Sequence, residues 1–115
     1  DLSIPIKQFY SVVESMREQF KSHPECIVCG YGHVGDGNLH LNIAAPEYNE
    51  EYLNLIEPFV YQLVSDMGGS VSAEHGLGQM KPQHIHFSKS NVAVDIMRQI
   101  KTTLDPNAIL NPYKV

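Results

Sequence analysis

Residues 27–44 read IVCGYGHVGDGNLHLNIA, two runs with alternating side-chain character joined by a glycine-rich turn. Such alternation is typical of half-buried strands, and Asp-Gly is a favoured pair at the centre of a type I′ hairpin turn. We therefore predict an antiparallel hairpin that turns at Asp36-Gly37 and is closed by the pair Gly35 and Asn38. When residues are counted outward from that pair, His33 faces His40, and Tyr31 likewise faces Asn42.

The two faces of this hairpin differ in character. One face carries His33, His40 and Asn42, whereas the other is apolar and suits a core. The predicted core face comprises Val28, Gly30, Gly32, Leu39, Leu41 and Ile43. Two imidazoles directly opposite each other on a ribbon have Cβ atoms roughly 4.5–5.5 Å apart, which is close enough to share a metal ion. The hairpin thus predicts a two-histidine metal clamp. The alternative is a tight structural turn in a non-catalytic metal-binding or interaction module.

Three further segments repeat apolar residues at helical spacing. We predict helices over residues 5–21, 49–67 and 91–104, of which the last is capped by Ser90. A short strand is expected at Ser70–Ser72, followed by a loop with at most a helical turn up to Lys89. The predicted buried faces comprise Ile6, Phe9, Val13, Met16 and Phe20; Leu53, Ile56, Val60, Leu63, Val64 and Met67; and Val92, Ile96, Met97, Ile100 and Leu104.

This order of elements predicts an α+β fold, in which an antiparallel sheet with a central β-hairpin is covered on one side by amphipathic helices. A length of 115 residues suits a single domain over residues 1–115. The net charge of −5, with only eight Lys and Arg, excludes a nucleic-acid-binding surface. The chain has no apolar run of the length that a membrane span requires.

A third metal ligand is expected in the segment SAEHGLG, residues 72–78. Glu74 is the candidate, because two imidazoles and one carboxylate give a catalytic metal three protein ligands and an open position. Its neighbour His75 should project to the opposite side of an extended backbone, so we assign it to proton transfer. The same three ligands would also suit a stand-alone zinc hydrolase, which is a competing function class.

Three motifs in this order carry a family resemblance: GYGHVGDGNLHLN at 30–42, SAEHGLG at 72–78 and LDPNAILNPYK at 104–114. Together they resemble the C-terminal segment of FAD-linked 2-hydroxy-acid dehydrogenases of the vanillyl-alcohol-oxidase type. The resemblance implies a ferredoxin-like half of that family's substrate domain plus a C-terminal helical segment, with the FAD-binding domain N-terminal to it and absent here. The Asn-Pro-Tyr-Lys ending is similar to the members that oxidise D-2-hydroxyglutarate. A D-lactate dehydrogenase or glycolate oxidase-type homologue is the alternative.

The resemblance also implies roles for individual residues. His33, His40 and Glu74 would hold a divalent metal, with zinc the expected ion, and His75 would be the catalytic base. Asn42 would contact the carboxylate or hydroxyl of the substrate, while Asn111 and Lys114 would face the flavin. The implied reaction oxidises a small D-2-hydroxy acid to a 2-oxo acid, with FAD as cofactor and an electron-accepting flavoprotein or quinone as partner. Mitochondrial localisation is implied in the same way, and the chain alone is expected to be inactive.

Overall fold

The sheet has three antiparallel strands in the order β1-β3-β2, in a computed structural model that describes all residues from Asp1 to Val115. The α+β prediction is confirmed. None of the helices is long and apolar enough to cross a membrane. The strands are β1 Leu2–Ser3, β2 Ile27–His33 and β3 Asn38–Ala44; the helices are α1 Phe9–Gln19, α2 Glu50–Asp66 and α3 Asn91–Leu104; and 3-10 turns cover Ile6–Gln8, Val34–Asp36 and Pro82–Phe87.

The hairpin forms where it was predicted, but its turn is of a different kind. A type I′ turn at Asp36-Gly37 needs a positive φ at both residues, and only Gly37 has one, at 68°. The chain instead makes a 3-10 turn over Val34–Asp36, and Gly37 closes it in the left-handed conformation. The predicted closing pair of Gly35 with Asn38 is therefore wrong. Four residues connect the strands, and Asn38 pairs with His33.

The strand register is shifted by two residues as a result. His40 lies opposite Tyr31 and not opposite His33, and Asn42 lies opposite Cys29 and not opposite Tyr31. A shift of two residues leaves every side chain on its original face of the sheet, because side chains alternate with a period of two. His33 and His40 therefore still share one face, as diagonal neighbours.

Helices α1 and α2 cover the apolar face of the sheet, as predicted. Gly30 allows α1 to approach closely, because a Cβ at that position would lie 2.5 Å from Cγ2 of Val13. The first turn of the predicted helix is 3-10, and Ile6 is 58% exposed, so its place in the core was predicted wrongly. The buried core comprises Leu2, Ile4, Val12, Val13, Met16, Phe20, Val28, Leu39, Val60, Tyr61, Val64 and Val71.

Helix α2 matches its prediction to within one residue at each end. Asn49 caps its N-terminus, where the side-chain oxygen accepts a hydrogen bond of 2.8 Å from the Glu51 amide. The helix continues through Pro58 and reaches Asp66.

The strand predicted at Ser70–Ser72 is wrong, since only Ser70 pairs, in an isolated bridge with Ser3. The next amide, that of Val71, donates to the Ser88 hydroxyl at 2.8 Å and so leaves the sheet.

Helix α3 has the predicted bounds and the predicted Ser90 cap, whose hydroxyl accepts from the Ala93 amide at 3.3 Å. Its apolar face, however, is not buried as predicted. Within α3 only Val94 is buried, and the element against which the helix mainly packs is the 3-10 turn at Pro82–Phe87. The apolar residues left more than half exposed are Val92, Ile96, Ile100 and Leu104. Spacing identifies an amphipathic face correctly but does not say what covers it.

Candidate metal and substrate site

Three histidine side chains converge on the carboxylate of Glu74. Its Oε1 atom lies 3.1 Å from Nε2 of His40, 3.7 Å from Nε2 of His33 and 3.7 Å from Nε2 of His75. The predicted site residues from the hairpin and from the SAEHGLG segment, which lie more than thirty positions apart, are therefore brought together.

The hairpin positions the two strand histidines. His33 ends β2 and His40 lies in β3 on the same face, with ring centroids 5.6 Å apart and ring planes at 82°. The His40 ring lies 5.6 Å from that of Tyr31 and stacks on that of His75 at 5.3 Å and 19°. These neighbours leave the His40 side chain only 16% exposed, against 59% for His33. His40 is therefore the most rigidly held donor.

Glu74 and His75 lie in a bend and not in an extended segment. The prediction that these neighbours project to opposite sides is therefore wrong, because that rule holds only for extended backbone. Both side chains point toward His40. Gly76, which follows at a φ of 76°, adopts a conformation that suits glycine and lets the chain turn away.

Asp1 belongs to the same cluster, although sequence reasoning missed it. Its Oδ2 atom accepts hydrogen bonds from three successive backbone amides, those of Ala73 at 2.9 Å, Glu74 at 3.1 Å and His75 at 2.9 Å. The carboxylate therefore binds the backbone of the segment that carries two candidate site residues. No local pattern links residue 1 to residues 73–75, so spacing and periodicity had no signal for this contact.

The donor set suits a divalent transition metal, since imidazole nitrogen and carboxylate oxygen are ligands that such ions accept. The four residues whose ligand atoms all lie within 4.8 Å of one another are Asp1, His40, Glu74 and His75. The predicted set of His33, His40 and Glu74 shares two members with that group. His33 lies outside that group, with its Nε2 atom 3.7 Å from Oε1 of Glu74.

The other predicted site residues are Asn42, Asn111 and Lys114. Asn42 is exposed on the same face of β3 as His40, and its amide donates to the His40 carbonyl at 3.4 Å. Asn111 is exposed and has a φ of 42°, and neither it nor Lys114 contacts Glu74. Lys114 instead lines a cavity between the 3-10 turn and α3, with Arg98 on its wall.

Beyond the bend at residues 73–75, Lys81 attaches the same stretch of chain to α2. The Lys81 ammonium lies 3.7 Å from the Glu57 carboxylate of α2 and 5.4 Å from the centre of the Tyr61 ring. Burial lowers the pKa of Lys81, but the neighbouring Tyr61 hydroxyl and the charge of Glu57 outweigh burial and raise the pKa above its ordinary value. Lys81 thus stays protonated at neutral pH and ties the segment to α2.

Comparison with known proteins places this cluster in context. Residues 1–115 match the family described as FAD linked oxidases, C-terminal domain. The chain is 56% identical over its whole length to the probable mitochondrial D-2-hydroxyglutarate dehydrogenase of Oryza sativa subsp. japonica, and 54% identical to the mitochondrial enzyme of that name from Arabidopsis thaliana. It is 50% identical over 99% of its length to the corresponding Danio rerio protein. The chain covers 20–21% of the length of these relatives.

Proposed function

The chain belongs to the family of FAD-linked oxidase C-terminal domains, and from this membership we propose that it forms the metal- and substrate-binding wall of a D-2-hydroxy-acid dehydrogenase. The observation that carries the proposal is the convergence of three imidazoles on Oε1 of Glu74, at 3.1–3.7 Å. A surface carboxylate has no structural need for three imidazole neighbours. Such a cluster is well suited to hold a cation and to handle a proton.

We assign His33, His40 and Glu74 as the residues that would hold a divalent metal, with zinc as the expected ion. A metal in such a site supplies Lewis acidity toward substrate oxygens. Electrostatics support the assignment, because the chain has a net charge of −5 and Glu74 and Asp1 both lie at the cluster. An anionic substrate would be repelled from this surface unless a cation offset those charges.

His75 is proposed as the catalytic base. Its side chain is 64% exposed, and its ring stacks on that of His40. A neutral imidazole can take the proton of a substrate hydroxyl. Transfer of the hydroxyl proton to Nε2, with loss of the C2 hydrogen as a hydride to the FAD that would serve as acceptor, would leave a 2-oxo acid.

Asn42 is proposed to orient the substrate. Its amide is exposed on the same sheet face as the cluster, and its bond to the His40 carbonyl, at 3.4 Å, is long enough to be exchanged for a better acceptor. A substrate carboxylate is such an acceptor, because hydrogen bonds to charged oxygens are stronger than those to neutral ones.

The cofactor proposed for the reaction is FAD, which supplies the hydride acceptor. In the tail, Asn111 and Lys114 remain proposed flavin-facing residues. Among substrates we propose D-2-hydroxyglutarate, the substrate in the names of the three relatives, over D-lactate and glycolate. Mitochondrial localisation is proposed from the same names. An electron-accepting flavoprotein or a quinone is proposed to reoxidise the flavin.

Zinc titration of the full-length protein by calorimetry, after treatment with a chelator, tests the metal site. His33→Ala, His40→Ala and Glu74→Ala should each weaken zinc binding by more than the roughly 10–100-fold lost when a residue that only supports a ligand is removed. His86→Ala is the matched control, because its ring packs on Phe87 and has no contact with Glu74. Unchanged zinc affinity in all three site variants would refute the metal assignment.

Steady-state oxidation of D-2-hydroxyglutarate, D-lactate and glycolate with a dye acceptor tests the chemistry. His75→Ala should lower kcat by about 10²–10⁴-fold, the usual contribution of a general base, while zinc affinity changes far less. A His75→Ala enzyme with wild-type kcat would eliminate His75 as the base. Preferential turnover of D-lactate or glycolate by the wild type would replace the proposed substrate.

A further inference from the structure

The Asp1 carboxylate is the one group at the cluster that contacts backbone and not a side chain. Oδ2 accepts from the amides of Ala73, Glu74 and His75 at 2.9–3.1 Å, and Oδ1 lies 3.4 Å from the Glu74 amide. Three successive amides aimed at one oxygen form a small anion-binding nest. Here the anion comes from the chain itself, 72–74 residues away along the sequence.

These amides have no other partner. Residues 73–75 lie outside every helix and strand, and none of their amides donates to a backbone carbonyl. The segment is also partly exposed, with Glu74 at 46% and His75 at 64% of their side-chain surface. Without the Asp1 carboxylate, water would replace all three hydrogen bonds, and the backbone that carries Glu74 and His75 would be free to move.

The anchor is itself attached to the sheet. Asp1 directly precedes β1, where Leu2 is buried and pairs with Leu39, and Leu39 adjoins His40 in β3. The carboxylate therefore has a fixed position relative to the strand that carries His40. Its three hydrogen bonds therefore hold the irregular segment at residues 73–75 in a fixed position relative to the sheet. Each of these bonds is strengthened by the charge of the acceptor.

We propose that Asp1 is a positioning residue that sets Glu74 and His75 against His33 and His40 by fixing the backbone of residues 73–75. This inference rests on the proposed metal site. In this assignment Asp1 acts through the backbone of residues 73–75, because its Oδ2 atom accepts from three successive amides, whereas its Oδ1 atom has only a 3.4 Å contact with the Glu74 amide. Groups that orient metal ligands in this way typically change metal affinity or activity by about 10–100-fold when they are removed.

The test replaces Asp1 by Asn in the full-length protein, which keeps the shape but removes the charge and half of the acceptor capacity. Asp1→Asn should weaken zinc binding by about 10–100-fold in calorimetry. In the metal-free protein, hydrogen exchange measured by mass spectrometry should be faster in peptides that cover residues 73–75. The matched control is Asp105→Asn, because the Asp105 carboxylate also accepts two backbone amides, those of Ile109 and Leu110, but lies outside the cluster.

The outcomes separate the inference from the function on which it rests. Weaker zinc binding together with faster exchange in Asp1→Asn, and wild-type zinc affinity in Asp105→Asn, would support the positioning role. Wild-type zinc affinity in Asp1→Asn, or unchanged exchange at residues 73–75, would overturn that role while leaving the metal site intact. A wild-type protein that binds no zinc would refute the metal site and the inference together.

Discussion

Replacement of Gly30 by Ala tests the packing of α1 on the sheet that carries the site. The added methyl carbon would lie 2.5 Å from Cγ2 of Val13 and 2.9 Å from Cδ1 of Leu39. Carbon atoms pack best at about 3.5–4.0 Å, so one of the contacts must open by about 1 Å. Both neighbours are fully buried and cannot swing into solvent. We expect Gly30→Ala to lower the free energy of unfolding by about 2–3 kcal/mol, the upper part of the usual range for overpacking.

A double-mutant cycle with Val13→Ala, measured by urea unfolding, shows whether that clash is the cause. Val13→Ala alone removes two buried methyl groups, or about 1.6 kcal/mol before any cavity is counted. In the double variant the methyl group added at position 30 enters the vacated space, so the combined loss should fall at least about 1 kcal/mol short of the sum. Additivity within about 0.5 kcal/mol would refute this reasoning. Gly35→Ala, where an added Cβ meets nothing within 4 Å, should leave stability unchanged or slightly raised.

Three further outcomes are expected. The hydrogen bond from Lys101, aided by two backbone amides, holds the pKa of Asp105 below its ordinary value. Asp105→Asn should therefore lower the urea midpoint at pH 7, and this loss of stability should shrink as the pH falls below about 3.9. A loss of stability that does not change with pH would contradict the reasoning. Asn49→Ala should cost about 0.5–2 kcal/mol in the same assay, and no cost would mean that the cap does not stabilise α2. Zinc at 100 times its dissociation constant should stabilise the wild type by about 2.7 kcal/mol in thermal unfolding, and His40→Ala should lose this gain.

Features set by local chemistry were predictable from the sequence. The bounds of α3 were predicted to the residue, because Ser90 is a good cap and Asp105-Pro106 is a strong stop. The burial of α3 was not predictable, since an apolar face at helical spacing is the same whether it meets the sheet or remains exposed. The strand expected at 70–72 failed for a related reason, because a contact from Ser88 takes the Val71 amide out of the ladder.

The site was predictable to the extent that it depends on the two-residue period of strands. The predicted turn geometry was wrong, so the observed register differs from the predicted one by two positions. His33 and His40 nevertheless share one face of the sheet. A register error of one position would have placed one of the two histidine side chains on the core face, and the predicted site would not have formed. Residues 73–75 have no such period, so the common direction of Glu74 and His75 could not be deduced from their spacing. It depends on the bend, whose amides bind Asp1 at the start of the chain. The part of the site on the hairpin, His33 and His40, is thus encoded locally, whereas the positions of Glu74 and His75 are specified by a long-range contact that only the folded chain creates.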